Sequence, residues 1–248
     1  MKKLVVFLVI SGLTTMLASG QKTESRSVSG FTGIDASGIF EITIVKGSTE
    51  SLTIETNDDV MPYVRSEVKN GILRLYLAKN NSKTLKNNTV KVSIVMKNLE
   101  KVSLSGACQI TSNDLFVSEN FTGSCSGSSV MTINVNTGRM NIKASGSSNL
   151  QMKANVTGDT KMNFSGSSNI DLNGSAKNLT VNVMGASNFK AEDFVTGTAD
   201  IKASGSCRVT VHVTEELNVT SSGASTVHHK GSPAITQKSS GSSVIKKI

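Results

Sequence analysis

Ser105-Gly106-Ala107-Cys108-Gln109-Ile110 opens a phrase that recurs to the end of the chain. Its glycine returns as Gly127, Gly146, Gly166, Gly185, Gly205, Gly223 and Gly241, at intervals of 21, 19, 20, 19, 20, 18 and 18 residues. A period near twenty marks a solenoid, in which each repeat is one coil that buries its apolar face only by stacking on the next. Four residues after the glycine stand Ile110, Met131, Leu150, Ile170, Phe189, Val209, Val227 and Ile245, all apolar. Two residues after it stand Cys108, Ser129, Ser148, Ser168, Ser187, Cys207, Ser225 and Ser243, all small. The fifth residue after it is polar in every repeat, from Thr111 to Lys246. Alternation with period two predicts strand, with even offsets inward and odd offsets toward water.

Four residues before the glycine the apolar rule holds at Val102, Ile142, Met162, Val181, Ile201 and Val219 and breaks at Gly123 and Gln237. A second punctuation at Gly138, Gly158 and Gly197 gives each coil at least two bends. The fold class expected is therefore all-β, a parallel β-helix of 18–21 residues per coil. Eight such coils would extend on the order of 35 Å at strand spacing.

Ahead of the repeats, Gly38-Ile39-Phe40-Glu41-Ile42-Thr43-Ile44-Val45, Leu52 to Glu55, Ile72 to Leu77 and Val90 to Met96 read as strands. Asn57-Asp58-Asp59 followed by Val60, Met61, Val64 and Val68 reads as one short capped helix, with Pro62 in its first turn and Asn70-Gly71 as its stop. The expected organisation is a signal peptide at 1–20, a flexible polar lead-in at 21–36, an N-terminal β segment with the short helix at 37–104, and the repeat solenoid at 105–248. The β segment joins the solenoid without a linker and is expected to shield its first edge. At the far end His229 and Lys247 replace apolar residues of an interior column, as expected where a stack stops.

The 248 residues are 37% hydrophobic but only 4% aromatic, with no Trp, two Pro and 21 Gly, which suits β coils better than a compact α/β enzyme. Lys2 and Lys3, an apolar run from Leu4 and the small residues Ala18-Ser19-Gly20 have the form of a cleaved secretory leader. The expectation is export to the periplasm or cell surface. No Cys follows the apolar run, which argues against a lipoprotein, and no later stretch is apolar enough to span a bilayer as a helix. Without Lys2 and Lys3 the chain keeps 24 basic against 18 acidic residues, a charge of +6. That excess suits an anionic surface such as acidic glycan, whereas export and scarce aromatics argue against nucleic acid. Of three cysteines, Cys108 and Cys207 lie five coils apart, too far for a disulfide; a Cys108–Cys125 bridge stays open beside three buried thiols.

Several pieces together resemble the family described as putative auto-transporter adhesin, head GIN domain, of Bacteroidetes. They are Gly38-Ile39-Phe40-Glu41-Ile42, Asp58-Asp59-Val60-Met61-Pro62-Tyr63-Val64, Glu67-Val68-Lys69-Asn70-Gly71-Ile72-Leu73 and the serial Ser-Gly-Ser-Ser-Asn-Ile phrase at Ser165 to Ile170. The resemblance implies a right-handed parallel β-helix outside the cytoplasm with an adhesive role, and it brings no catalytic residues.

Asp171 and Asp200 lie in different columns, so no carboxylate pair suited to glycoside hydrolysis emerges. His228 and His229 are adjacent on a strand and point to opposite faces, which does not favour a shared metal. No cofactor is expected. The candidate ligand strip is the outward column three residues after the glycine, Asn149, Asn169 and Asn188, with Arg208 beside it. Stacked amides can simply brace the turns; as a flat, regularly spaced polar strip they can also meet repeating glycan hydroxyls. The function expected is a non-enzymatic exported β-helix with a surface, adhesive or scaffolding role, its partner a glycan or envelope component. The alternative is a polysaccharide lyase or hydrolase on the same scaffold.

Overall fold

The computed structural model describes residues 20–78 and 89–248. The leader up to Ser19 and the basic loop from Asn80 to Asn88 lie outside them. In chain order the strands are β1 (Gln21–Arg26), β2 (Gly33–Gly38), β3 (Phe40–Lys46), β4 (Ser51–Asn57), β5 (Val64–Lys69), β6 (Ile72–Leu77), β7 (Val90–Met96) and β8 (Lys101–Gly106). There follow β9 (Gln109–Cys125), β10 (Val130–Ala144), β11 (Asn149–Phe164), β12 (Asn169–Gly185), β13 (Asn188–Gly205), β14 (Arg208–Gly223), β15 (Thr226–Lys230), β16 (Ala234–Ser239) and β17 (Val244–Lys247). From β8 onward each strand pairs in parallel with the one a coil later, and the stack is a β-solenoid of about 7 turns.

The facing assignment follows the offsets. Ile110, Met131, Leu150, Ile170, Phe189, Val209 and Val227 are fully buried in consecutive register. Burial of such side chains stabilises by about 1.5–3 kcal/mol each. Gly123, the break in the apolar column, makes room for its neighbours: a Cβ there would lie 2.9 Å from Ile142 Cδ1 and 3.0 Å from Met131 Cε.

The recurring glycine is required twice over. Gly166 has φ +83°, and a Cβ on it would stand 2.5 Å from the carbonyl oxygen of Gly146 on the rung below. The glycine column begins earlier than the repeats, because Gly38 is in register with Gly106. The inward serines close the same turn. The hydroxyls of Ser129, Ser148, Ser168, Ser187 and Ser225 donate to the carbonyl three residues back, at 2.7, 2.8, 3.2, 3.3 and 2.8 Å. Cys108 and Cys207 donate through sulfur to Ser105 and Ser204 in the same way, at 3.2 and 3.1 Å. These two thiols therefore do more than fill space. All three cysteines are free and buried; burial, with Cys108 nearby, pushes the Cys125 thiol up to about 12.

The N-terminal segment departs from expectation in two ways. The stretch 21–36, expected as a flexible lead-in, instead holds β1, antiparallel to β4, and the start of β2. The expected helix is a single 3-10 turn, Met61–Tyr63, without a side-chain cap. Val60, Met61 and Val64 are buried, but the chain leaves the turn in extended form as β5, and Val68 is 37% exposed. Asn70 and Gly71 have φ +52° and +72°, the two positive values of a tight hairpin turn, and join β5 to antiparallel β6. A pair read as a helix stop is a hairpin turn. The rungs are not in chain order: the β2/β3 rung lies between the later β6/β7 rung and the β8/β9 rung. Antiparallel β5, β4 and β1 then finish that end.

Candidate functional site

The candidate strip is a true column. Asn149, Asn169, Asn188 and Arg208 occupy consecutive parallel rungs in register. Asn188 Nδ2 donates to Asn169 Oδ1 at 3.0 Å. The amide oxygens of Asn149 and Asn188 are shielded and accept no hydrogen bond. Val130, between Gln109 and Asn149, bounds the strip on one side, a residue the sequence reading passed over. Similar outward ladders run elsewhere: Asn155 to Asn136 at 3.1 Å, Asn178 to Asp159 at 2.8 Å and Asn182 to Asn163 at 2.8 Å. Amide stacking is thus a general brace of this solenoid.

Across the glycine bend from the strip lies a trough that the sequence reading missed. Its walls are the outward residues three and one before each glycine. On one wall Ser124, Lys143, Asn163, Asn182, Lys202 and Thr220 follow one another in register. The other wall is serine on nearly every rung, except where Met184 projects, 52% exposed. Two hollows of about 350 and 370 Å³ share Asn163 and Met184 and so form one run from Ser103 to Ser222. The signal that could have found it is the single methionine in a serine column.

The acidic and histidine candidates stay apart. Asp171 accepts from Asn173 Nδ2 at 2.9 Å and sits in register beside Lys190. Asp200 is in register with Thr180 and Asn218. His228 is half-buried, whereas His229 faces inward at 5% exposure. Burial, and then Lys247 on the next rung, push the His229 imidazole down, partly offset by a backbone hydrogen bond at Lys230. Among the described residues no group of three or more His, Cys, Asp or Glu is placed to hold a metal ion. Among them, too, no helix is long and apolar enough to cross a membrane.

A parallel stack with repeated outward ladders defines a β-solenoid. The chain belongs to the family described as putative auto-transporter adhesin, head GIN domain, whose model matches residues 30–233. Its fold is that of a putative adhesin from Parabacteroides merdae, with TM-score 0.85 at 19% identity over 93% of this chain and 97% of that one. A putative adhesin from Parabacteroides distasonis gives TM-score 0.84 at 19% identity over 93% and 98% of the two chains. A protein from the same organism described as a putative lipid binding protein gives 0.82 at 20% identity over 93% and 98%. No curated protein matches the chain.

Proposed function

We propose that this chain is an exported, non-enzymatic adhesin-like protein that holds an extended component of the cell envelope, a glycan above all, along its outer columns. The observation that carries the reading is register: Asn149, Asn169, Asn188 and Arg208 present polar groups outward on four successive rungs, a periodic surface that suits a repeating ligand. Each contact on such a strip is weak, and affinity comes from many made at once. The leader-like first twenty residues support delivery to the periplasm or surface, and the family's adhesin description supports the adhesive role.

The test is a glycan array together with capture from envelope fractions, run with the native chain and an Asn149→Ala/Asn169→Ala/Asn188→Ala/Arg208→Ala variant. Retention by the native chain and loss by the variant are expected. New reducing ends or unsaturated products from a polysaccharide panel would replace this reading with the enzymatic one.

A further inference from the structure

We infer that the trough between Ser103 and Ser222 is a binding site for a linear anionic polysaccharide, laid along the stacking direction with its acid groups at Lys143 and Lys202. The inference rests on the adhesive reading above and adds to it a ligand class and a second place on the surface.

Shape comes first. The joined hollows pass seven rungs, on the order of 30 Å at strand spacing. They are open along their length, which suits a chain-like ligand better than a small metabolite, since small-molecule sites enclose most of their ligand. Charge comes next. Neither hollow is lined by Asp or Glu, and both hold a lysine. Lys143 and Lys202 stand in the same column three rungs apart, on the order of 14 Å. Among the described residues neither ammonium has an ion-pair partner. Two cations at fixed spacing, in a trough lined by no carboxylate, complement a polymer that carries acid groups at intervals.

The uncharged lining fits sugar. Between the lysines, Asn182 donates to Asn163 at 2.8 Å, which orients both amides. A side-chain amide has two N–H donors and one carbonyl acceptor, so each keeps capacity for a hydroxyl. The facing wall offers the hydroxyls of Ser126, Ser145 and Ser165. Midway, Met184 replaces that serine with a flexible apolar surface, suited to the C–H face of a sugar ring. The exposed lining is more apolar than polar, but the trough is open along its length, so an acyl chain in it would stay in water. A sugar polymer can instead set its C–H faces on the apolar part and its hydroxyls and acid groups on the walls.

The experiment measures binding of the full mature chain to polygalacturonate, alginate and chondroitin sulfate by calorimetry, at low and high salt. Fully methyl-esterified polygalacturonate, with the same backbone and no charge, is the neutral control; phosphatidylglycerol vesicles are the lipid arm. Binding to at least one acidic polymer but not the esterified one is expected, and salt should weaken it. Lys143→Gln/Lys202→Gln should lose affinity by about tenfold or more, the scale of two charge-assisted contacts. Both lysines are exposed, so the variant is expected to fold, and its melting temperature checks this. Met184→Ser should weaken binding less, and Lys190→Gln, which removes an exposed lysine outside the trough, not at all. Equal binding of the esterified polymer, unchanged binding by the lysine variant, or binding to vesicles alone overturns the proposal. Loss of polymer binding through Asn149→Ala/Asn169→Ala with none through the lysine variant overturns it while leaving the adhesive reading in place, with the amide strip as its site. Failure of all three acidic polymers beside retained envelope capture does the same. Failure of both removes both readings.

Discussion

The N-terminal segment and the repeats from Gly106 onward build the same kind of rung by different means. In the repeats each coil follows the last in sequence, and the glycine, small-residue and apolar columns recur from coil to coil. In the first segment the β2/β3 rung is laid down early and later enclosed by β6/β7 on one side and β8/β9 on the other. The repeats solve one problem many times, the close approach of backbones at a bend. The first segment solves another, how to stop. Its outermost strands run antiparallel, and β1 places Lys22, Glu24 and Arg26 in register with Thr56, Ile54 and Leu52, charged groups where a continuing coil would put apolar ones. Arg26 is held by Glu24 at 2.9 Å, by the Val64 carbonyl at 3.1 Å and by Ser66 Oγ at 3.0 Å. Charge on an edge strand discourages further pairing.

The largest expected effect lies in the repeat core. Ile170→Asp removes an apolar burial of about 1.5–3 kcal/mol and leaves a carboxylate with no partner, so the stack is expected to lose its cooperative unfolding transition. Asp171→Ala, outward and next door, is expected to leave the denaturation midpoint within about 0.5 kcal/mol of native. Equal effects would mean that the columns do not separate core from surface.

Next come two glycines with nearly the same backbone. Gly166 in the repeats has φ +83° and Gly71 in the β5–β6 hairpin has φ +72°. A Cβ at Gly71 meets nothing closer than the Gly30 carbonyl oxygen at 4.0 Å, whereas at Gly166 it stands 2.5 Å from backbone. Gly71→Ala is expected to cost about 1–2 kcal/mol, the left-handed backbone penalty alone. Gly166→Ala adds a backbone clash on top and should cost clearly more in urea denaturation. If the two match, conformation rather than stacking explains the recurring glycine.

How much of this could be read beforehand differs between the two regions for the same reason. Repeated columns are legible because stacking gives each offset one environment many times over, so that Leu150, Ile170 and Phe189 vote together. The candidate amide strip was legible in the same way. The first segment has no such redundancy. Gln21-Lys22-Thr23-Glu24-Ser25-Arg26 buries little and shows no apolar alternation, so a strand there leaves no mark. Val60, Met61 and Val64 are inward as helical spacing suggests, yet Asn70-Gly71 closes a hairpin, and only strand pairing decides between the two readings. The enclosed β2/β3 rung depends on contacts between distant segments that no local pattern records. The trough escaped because the sequence shows it only as two outward polar columns, and that they flank a hollow depends on how the bend sets them apart.

A smaller effect tests the serine column. Ser168→Ala leaves the Ser165 carbonyl without its 3.2 Å donor and is expected to cost about 1 kcal/mol. Ser168→Cys is expected to recover part of that, because Cys108 and Cys207 already make this bond through sulfur. If the alanine variant is as stable as native, the serines are present for size alone.

The smallest expected effect returns to the ends of the stack. At the first end the inward Glu24 and Arg26 are partnered with each other. At the other end His229 is inward, 5% exposed, with Nδ1 unpartnered and Lys247 in register beside it. Burial and that ammonium hold its folded pKa below the unfolded value of about 6.5. The stability linked to the neutral ring is therefore full above about 6.5. It declines as pH falls through the unfolded value toward the folded one, because only the unfolded chain takes up the proton readily. Hydrogen exchange of β15 and β17 measured across that range is expected to quicken on acidification, while β1 and β4 change less. His229→Leu should flatten the response at β15 without altering β1. Faster exchange at both ends alike would place the pH sensitivity elsewhere and remove the contrast between a partnered and an unpartnered end.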